Sequence, residues 1–334
     1  MTGLYIHIPF CRKKCNYCDF VSFAGRESEI DNYVDQIVAK LLNSSLVIRH
    51  SSLSTIFFGG GTPTLLAPKH FEHILKNVGT TFMVVRDGPE ITTEANPGTA
   101  DLAKLKALRQ LGINRLSIGV QSFNDRHLQV LGRIHNGKSA KRFYHDARVA
   151  GFTNINLDLI YGLPNQTLAE WQNDLQTAIS LKPDHLACYN LQIEEGTPLH
   201  EELQNSNLKL PNNETELKMY RLTIKTLTAA GYKHYEIANF AKPGFECQHN
   251  LNYWRNGRFI GIGTGAKSQL EPDPCNTIFL GLRLINGLSV ENFVGYEKEV
   301  DELIKTKMLT RSKGNYKLTR KGLYLGNEVF VRFV

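Results

Sequence analysis

The stretch Tyr5-Ile6-His7-Ile8-Pro9-Phe10-Cys11-Arg12-Lys13-Lys14-Cys15-Asn16-Tyr17-Cys18 decides how the rest of the chain is read. Its first half is a short apolar run of strand character. Its second half places three thiols within eight residues, in a loop that begins where the strand ends. The CxxxCxxC spacing is not the paired CxxC…CxxC of a structural zinc site. Three thiolates can hold three irons of a cubane cluster and leave the fourth without a protein ligand. Four protein ligands suit electron transfer or structure, whereas an open iron suits a small molecule that is then reduced. Spacing alone leaves zinc open. His7, inside the run, reads either as a satisfied strand histidine or as a site residue.

Working outward, six segments read as short buried strands, each followed by a helical pattern: Leu4–Ile8, Thr55–Phe58, Glu90–Glu94, Arg115–Val120, Asn154–Ile160 and His185–Leu191. Between them, Ile30, Val34, Ile37, Val38, Leu41 and Leu42 fall on one helix face, as do Leu102, Leu105, Leu108 and Leu111. Further helical patterns run over Lys69–Thr81, Lys138–Ala150, Leu168–Leu181 and Leu217–Ala230, and Gly112, Gly151 and Gly231 stand where left-handed caps belong. Sixfold strand–helix alternation predicts an α/β fold with a parallel sheet and right-handed crossovers, an open six-unit (βα)6 partial TIM barrel. Functional loops of such a barrel leave the C-terminal ends of the strands. Every unusual motif lies there: the Cys loop, Gly59-Gly60-Gly61-Thr62-Pro63-Thr64, Thr93-Glu94-Ala95-Asn96-Pro97, Gly119-Val120-Gln121-Ser122-Phe123, and Asp158 with Tyr161-Gly162-Leu163-Pro164. Glycines at 59–61 let backbone approach a ligand closely.

The chain divides into a core over 1–233, a segment 234–278 opening on a strand at His234–Phe240, and a module over 279–334. In the last, Ser289–Val294, Val300–Met308 and Lys321–Val331 read as helices, with Thr310–Thr319 a polar hairpin between the last two. This is the outline of a small winged-helix-like module.

Hydrophobic content of 42% and charged content of 21% over 334 residues describe an ordinary globular protein. No eighteen-residue apolar run occurs, and the N-terminal stretch is too short and wrongly flanked for a signal peptide, so cytoplasm is expected. Three of the six Cys are clustered and Cys188, Cys247 and Cys275 are scattered, which is no disulfide framework. Of the net +7, residues 301–334 hold +5, eight Lys/Arg against three acids, either a solvated face or a partner surface.

These blocks, with Ser117–Phe123, Leu131-Gly132-Arg133-Ile134-His135 and Asp158–Thr167, resemble the radical S-adenosylmethionine superfamily over nearly the whole chain. More narrowly, they resemble the branch holding oxygen-independent coproporphyrinogen dehydrogenase and HemW-type haem chaperones. The resemblance implies a [4Fe-4S] cluster on Cys11, Cys15 and Cys18. It also implies S-adenosylmethionine contacts from Gly60, Gly61, Thr62, Glu94, Gln121, Arg133 and Asp158. Chemistry agrees: an open iron takes the ligand's amino and carboxylate groups, and one electron then breaks a C–S bond to give a carbon radical. Arg133 can fork a carboxylate, Asp158 can accept from ribose hydroxyls, and Glu94 can accept from an ammonium. Tyr17 offers a flat face to an adenine, and Tyr5 is expected near the methionine end.

Within the branch, Phe20 stands where the dehydrogenase has a further Cys, and only four residues precede Tyr5 where that enzyme carries an extension. Both favour the HemW type. Cys247-Gln248-His249-Asn250-Leu251-Asn252-Tyr253-Trp254 matches the HNxxYW block of that type. An imidazole is a normal haem ligand, so His249 is the expected iron ligand, with Cys247 second and Tyr253 and Trp254 stacking on the porphyrin. Tail cations could meet its propionates. The alternative reading of the block is a structural turn with core aromatics. The chain departs from the type at Lys267, usually His, and in a shortened segment after Ser268. The resemblance implies haem and haem-requiring clients as partners, membrane respiratory complexes and peripheral membrane contact among the possibilities, and no nucleic acid. Oxidative decarboxylation of coproporphyrinogen III is the rival activity, and a nucleic-acid-binding radical enzyme with a basic tail is a third.

Overall fold

The computed structural model describes residues 2–43, 52–81, 83–84 and 88–333. Six parallel strands occupy the sheet in chain order: β1 (Thr2–Ile8), β2 (Ser52–Gly60), β3 (Glu90–Ala95), β4 (Arg115–Gln121), β5 (Asn154–Tyr161) and β6 (His185–Asn190). Each corresponds to one of the six expected segments. Every residue of β4 is buried, as expected of a strand covered on both faces. A short antiparallel hairpin, β7 (Lys233–His234) and β8 (Asn239–Ala241), extends the sheet beyond β6. On the opposite side β9 (Arg258–Ile262) lies parallel to β1, Thr2 facing Arg258 and Ile6 facing Ile262.

Local chemistry sets the helix ends. Asp101, Asn136, Thr167 and Asn212 each accept a backbone N–H in the first turn of the helix that follows. Gly112, Gly151 and Gly231 have φ of 92°, 94° and 87°. In each case the next N–H bonds back five residues: Ile113 to Leu108, Phe152 to Ala147, Tyr232 to Leu227. These are Schellman closures, and each delivers a buried apolar residue into the next segment.

Three expected elements differ. His234–Phe240 is two short strands rather than one. The buried Glu236 carboxylate accepts from Ala238 N at 2.8 Å and Asn239 Nδ2 at 2.5 Å, which folds the chain into a turn. Ser289–Val294 is not a helix: Leu288 and Ser289 pair with Tyr316 and Asn315, and one 3-10 turn follows over Val290–Phe293. Lys321–Val331 breaks at Leu325 (φ −116°, ψ 34°) into Arg320–Tyr324 and Gly326–Phe330. The polar hairpin is present, Leu309–Ser312 against Asn315–Leu318, with Lys313 and Gly314 both at positive φ as its two-residue turn demands.

One large core fills the sheet and its helices. A second gathers Ile278, Leu282, Phe293, Val300, Leu303, Val329 and Phe333 around the C-terminal hairpin. The short segment after Ser268 is stitched down by Asn256, whose Nδ2 donates to Asp273 O and Thr277 Oγ1 and whose Oδ1 accepts from Gln269 Nε2. Among the described residues no helix is long and apolar enough to cross a membrane.

Candidate functional site

A cavity of about 620 Å³ opens at the C-terminal ends of the strands and runs down between them. Cys11, Cys15 and Cys18 line it, together with Tyr5, Tyr17, Gly60, Gly61, Glu94, Gln121, Arg133, Asp158, His249 and Tyr253. Thirteen of the fifteen expected site residues therefore face one space, and Thr62 and Trp254 do not line it.

The cysteine loop is held by backbone. Asn16 N donates to Leu131 O at 3.0 Å, Asn16 Nδ2 to Val130 O at 3.0 Å, and Leu199 N to Asn16 O at 2.8 Å. Gly132, at φ 71°, lies so close that a Cβ there would stand 2.5 Å from Asn16 Oδ1. This explains the Leu131-Gly132-Arg133 block: it is the shelf on which the loop rests, and it delivers Arg133. Arg133 Nη1 donates to Cys15 Sγ at 3.2 Å, and Nη2 to Gly119 O at 2.6 Å and Asn96 Oδ1 at 2.5 Å. Asn96 Nδ2 donates to Thr62 Oγ1 at 2.9 Å, and that hydroxyl reaches Cys11 Sγ at 3.5 Å. Two of the three sulfurs are thus tied through one guanidinium-centred network. Sequence reasoning missed Asn96, although it stands two residues after Glu94.

The triple glycine, two of whose members line the cavity, also admits close protein neighbours. A Cβ on Gly60 (φ 108°) would meet the His7 ring at 2.5 Å, and one on Gly61 would meet Phe10 O at 2.7 Å and Cys11 Sγ at 3.0 Å. Absence of side chains there lets β2 press against the start of the cysteine loop. His7 is a satisfied strand histidine: its Nε2 lies 2.8 Å from Val21 O and its Nδ1 3.1 Å from the Tyr5 hydroxyl.

Two carboxyls line the cavity from β3 and β5, on either side of β4. Glu94 accepts from Gly60 N at 3.1 Å, and burial, then the Asp158 charge, push it up to about 8. Asp158 accepts from Asn156 Nδ2 at 2.7 Å and Ser117 Oγ at 3.1 Å, and burial raises it as well. Behind them His185 Nδ1 meets Asn156 Oδ1 at 2.5 Å and its Nε2 meets the Tyr235 hydroxyl at 2.7 Å. Gln121 ends β4 at φ 67°, beside a register shift against β5. A left-handed non-glycine residue next to a bulge costs energy and is found at functional sites.

The HNxxYW block forms the floor. His249 is buried, with Nδ1 2.8 Å from Thr55 Oγ1 and Nε2 2.9 Å from the Tyr253 hydroxyl. Both ring nitrogens are engaged, so the free imidazole expected for haem iron is not on offer without a rearrangement. Burial holds this ring down at about 3. Trp254 lies off the cavity because the Arg283 guanidinium covers its ring at 4.2 Å, which corrects the expected stacking on a porphyrin. Cys247 is buried and its Sγ meets Glu90 Oε1 at 3.7 Å. Lys267 is on an exposed loop and does not line the cavity.

The donor set fits the groups the sequence implies. Cys11 and Cys18 are pushed up by burial, so binding metal releases their protons. Among the described residues no three His, Cys, Asp or Glu side chains form a single-ion site. A cubane asks for something else, one thiolate on each of three irons. Arg133 places its positive charge beside them, donating from Nη1 to Cys15 Sγ while its buried Nε keeps an unused N–H.

Comparison with known proteins agrees with this geometry. The profile described as "Radical SAM superfamily" matches residues 5–178. The chain is 34% identical to "Heme chaperone HemW" of Bacillus subtilis over 376 positions, covering 100% of this chain and 99% of the relative. With 334 residues here, that relative carries stretches this chain lacks. "Heme chaperone HemW" of Escherichia coli is 44% identical over 274 residues, 81% of this chain and 71% of that one. Among solved structures, coproporphyrinogen III oxidase (HemN) from Escherichia coli, a radical SAM enzyme, superposes with a TM-score of 0.84 at 25% identity, covering 99% of this chain and 89% of that chain. The chain belongs to the radical SAM superfamily and, within it, to the HemW family.

Proposed function

We propose that the chain is a haem chaperone. It carries a [4Fe-4S] cluster and S-adenosylmethionine at the rim of the cavity, holds haem deeper in the same space, and hands haem to proteins that require it. One observation carries the reading: a single cavity joins the three loop thiols to an aromatic floor of Tyr5, Phe57, His249 and Tyr253.

Cys11, Cys15 and Cys18 hold the cluster. When bound, the cluster supplies an electron to the sulfonium of S-adenosylmethionine. The protein's part is orientation and charge. Arg133 and Thr62 donate to the sulfurs of Cys15 and Cys11, and such hydrogen bonds tune a cluster's potential. Gly60, Gly61 and Gln121 shape the pocket for the ligand, Glu94 receives its ammonium, Asp158 its ribose hydroxyls, and Tyr17 its adenine. Tyr5, bonded to His7 and stacked 6.2 Å from Phe57, borders the methionine end. His249 Nε2 becomes available to haem iron when the Tyr253 hydroxyl swings away.

The architecture we infer is an open six-unit (βα)6 partial barrel over 1–233. A floor segment occupies 234–278, and a winged-helix-like module occupies 279–334. The location we infer is the cytoplasm, with membrane respiratory complexes among the clients.

Haem titration of the purified protein tests the function. A Soret shift that is lost in His249→Ala is expected, and no shift in the wild type would contradict it. Anaerobic conversion of coproporphyrinogen to protoporphyrinogen would instead make the chain an enzyme.

A further inference from the structure

Below the rim, one buried cation has an ion pair only at the limit of contact and no hydrogen bond. Arg115 opens β4, is only 2% exposed, and lines the cavity. Its Nε is buried without a partner, and among the described residues none accepts a hydrogen bond from its guanidinium. The nearest carboxylate oxygen, Glu90 Oε2, stands 4.0 Å away. Glu90 shares its carboxylate with other donors: it accepts from His249 N and Gln248 N, both at 3.2 Å, and from Cys247 Sγ at 3.7 Å. Asp158 is likewise committed to Asn156 and Ser117. A buried cation with unspent donors is costly unless something pairs with it, and a cavity beside it is where a partner can enter.

We propose that Arg115 anchors a second subsite, low in the cavity, that takes a carboxylate. A planar guanidinium matches a carboxylate with two parallel N–H···O bonds. The subsite is separate from the rim. Four residue steps of extended strand, about 13 Å of backbone, separate Arg115 from Gly119, whose carbonyl receives the same Arg133 that bonds Cys15. A ligand whose carboxylate sits at the cysteine loop does not present that carboxylate to Arg115. The occupant is therefore a second molecule. It is either a porphyrin propionate, in which case the subsite rests on the haem reading above, or a small free carboxylate.

Wild-type protein and Arg115→Gln are titrated anaerobically with hemin and with hemin dimethyl ester, followed by absorbance. Sodium propionate alone is tested for protection against thermal unfolding. A propionate ligand predicts that the ester binds the wild type about ten- to a hundredfold more weakly than hemin, the range for a charge-assisted pair, and that Arg115→Gln abolishes the difference. A small free carboxylate predicts equal binding of hemin and ester, with propionate raising the wild-type melting temperature but not that of Arg115→Gln. If Arg115→Gln does not fold, the comparison of hemin with its ester in the wild type decides. Protection by propionate without any hemin binding supports the subsite and removes the haem function. Equal hemin and ester binding with no propionate effect overturns the subsite and leaves that function standing. Binding of neither porphyrin with no propionate effect overturns both.

Discussion

The rim and the floor of the cavity are both made of motif residues, yet they spend their polar atoms differently. At the rim, the cysteine loop is fixed through backbone and through Asn16, and the three sulfurs form no disulfide, Cys15 and Cys11 each accepting a single hydrogen bond, from Arg133 and Thr62. At the floor, His249 is bonded on both nitrogens and the Glu90 carboxylate takes the N–H groups of Gln248 and His249. The rim is poised for ligands, whereas the floor is largely satisfied by the protein itself. A motif can therefore mark chemistry in one place and closure of a barrel in another, and hydrogen-bond accounting tells them apart.

Changing one sulfur should have the largest effect. Cys15→Ala is expected to lose nearly all cluster iron on anaerobic reconstitution while the fold, judged by far-ultraviolet dichroism, survives; retention of iron at the wild-type level would erase the distinction between rim and floor. At the floor the expectation is reversed. His249→Ala should cost about 2–4 kcal/mol in denaturant unfolding, because it removes a buried ring and strands Thr55 and Tyr253. Tyr253→Phe should cost less, roughly 1 kcal/mol, and strengthen haem binding by freeing Nε2. If His249→Ala leaves stability unchanged, the floor does not hold the barrel closed.

A pH effect belongs to the rim. Burial and the Asp158 charge push Glu94 up to about 8, and a bound ammonium favours its ionised form. Binding of S-adenosylmethionine should then release a proton, so that affinity falls by up to about tenfold per unit as pH drops below 8. Calorimetry in buffers of different ionisation enthalpy reads the proton directly, and Glu94→Gln should flatten the profile. The same linkage makes Glu94 a stability loss on raising pH: the folded state keeps the proton that the unfolded state has shed between the ordinary glutamate range and 8. The smallest effect expected at the rim is that of Gly132→Ala. It places a Cβ 2.5 Å from Asn16 Oδ1 at φ 71°, costs about 1–2 kcal/mol, and should loosen cluster retention more than it loosens the floor.

Much of this is legible in the sequence, for reasons that differ by region. Strand positions follow from apolar runs and from Gly112, Gly151 and Gly231, because the left-handed cap that ends each helix is a local requirement. The rim residues follow because strand ends in such a sheet all point one way. β9 escapes such a reading: Arg258–Ile262 is a short run inside a glycine-rich stretch, and only its pairing with β1 identifies it. Asn96 and Arg115 escape it because their meaning lies in distant parts of the chain, in Arg133 and Thr62 for one and in the lack of a hydrogen-bond acceptor among the described residues for the other. Trp254 misleads because Arg283, which covers it, comes from beyond the shortened segment. The C-terminal helices are shorter than their patterns suggest where Leu288 and Ser289 find strand partners in Tyr316 and Asn315.

The most direct test of the central claim, that the loop cysteines hold a cluster with an iron left open to S-adenosylmethionine, is anaerobic reconstitution followed by metal analysis and paramagnetic resonance. The expected result is about four iron and four sulfide per chain and a reduced-state spectrum that changes when S-adenosylmethionine is added. Zinc in place of iron, or a cluster spectrum indifferent to the nucleoside, would contradict it.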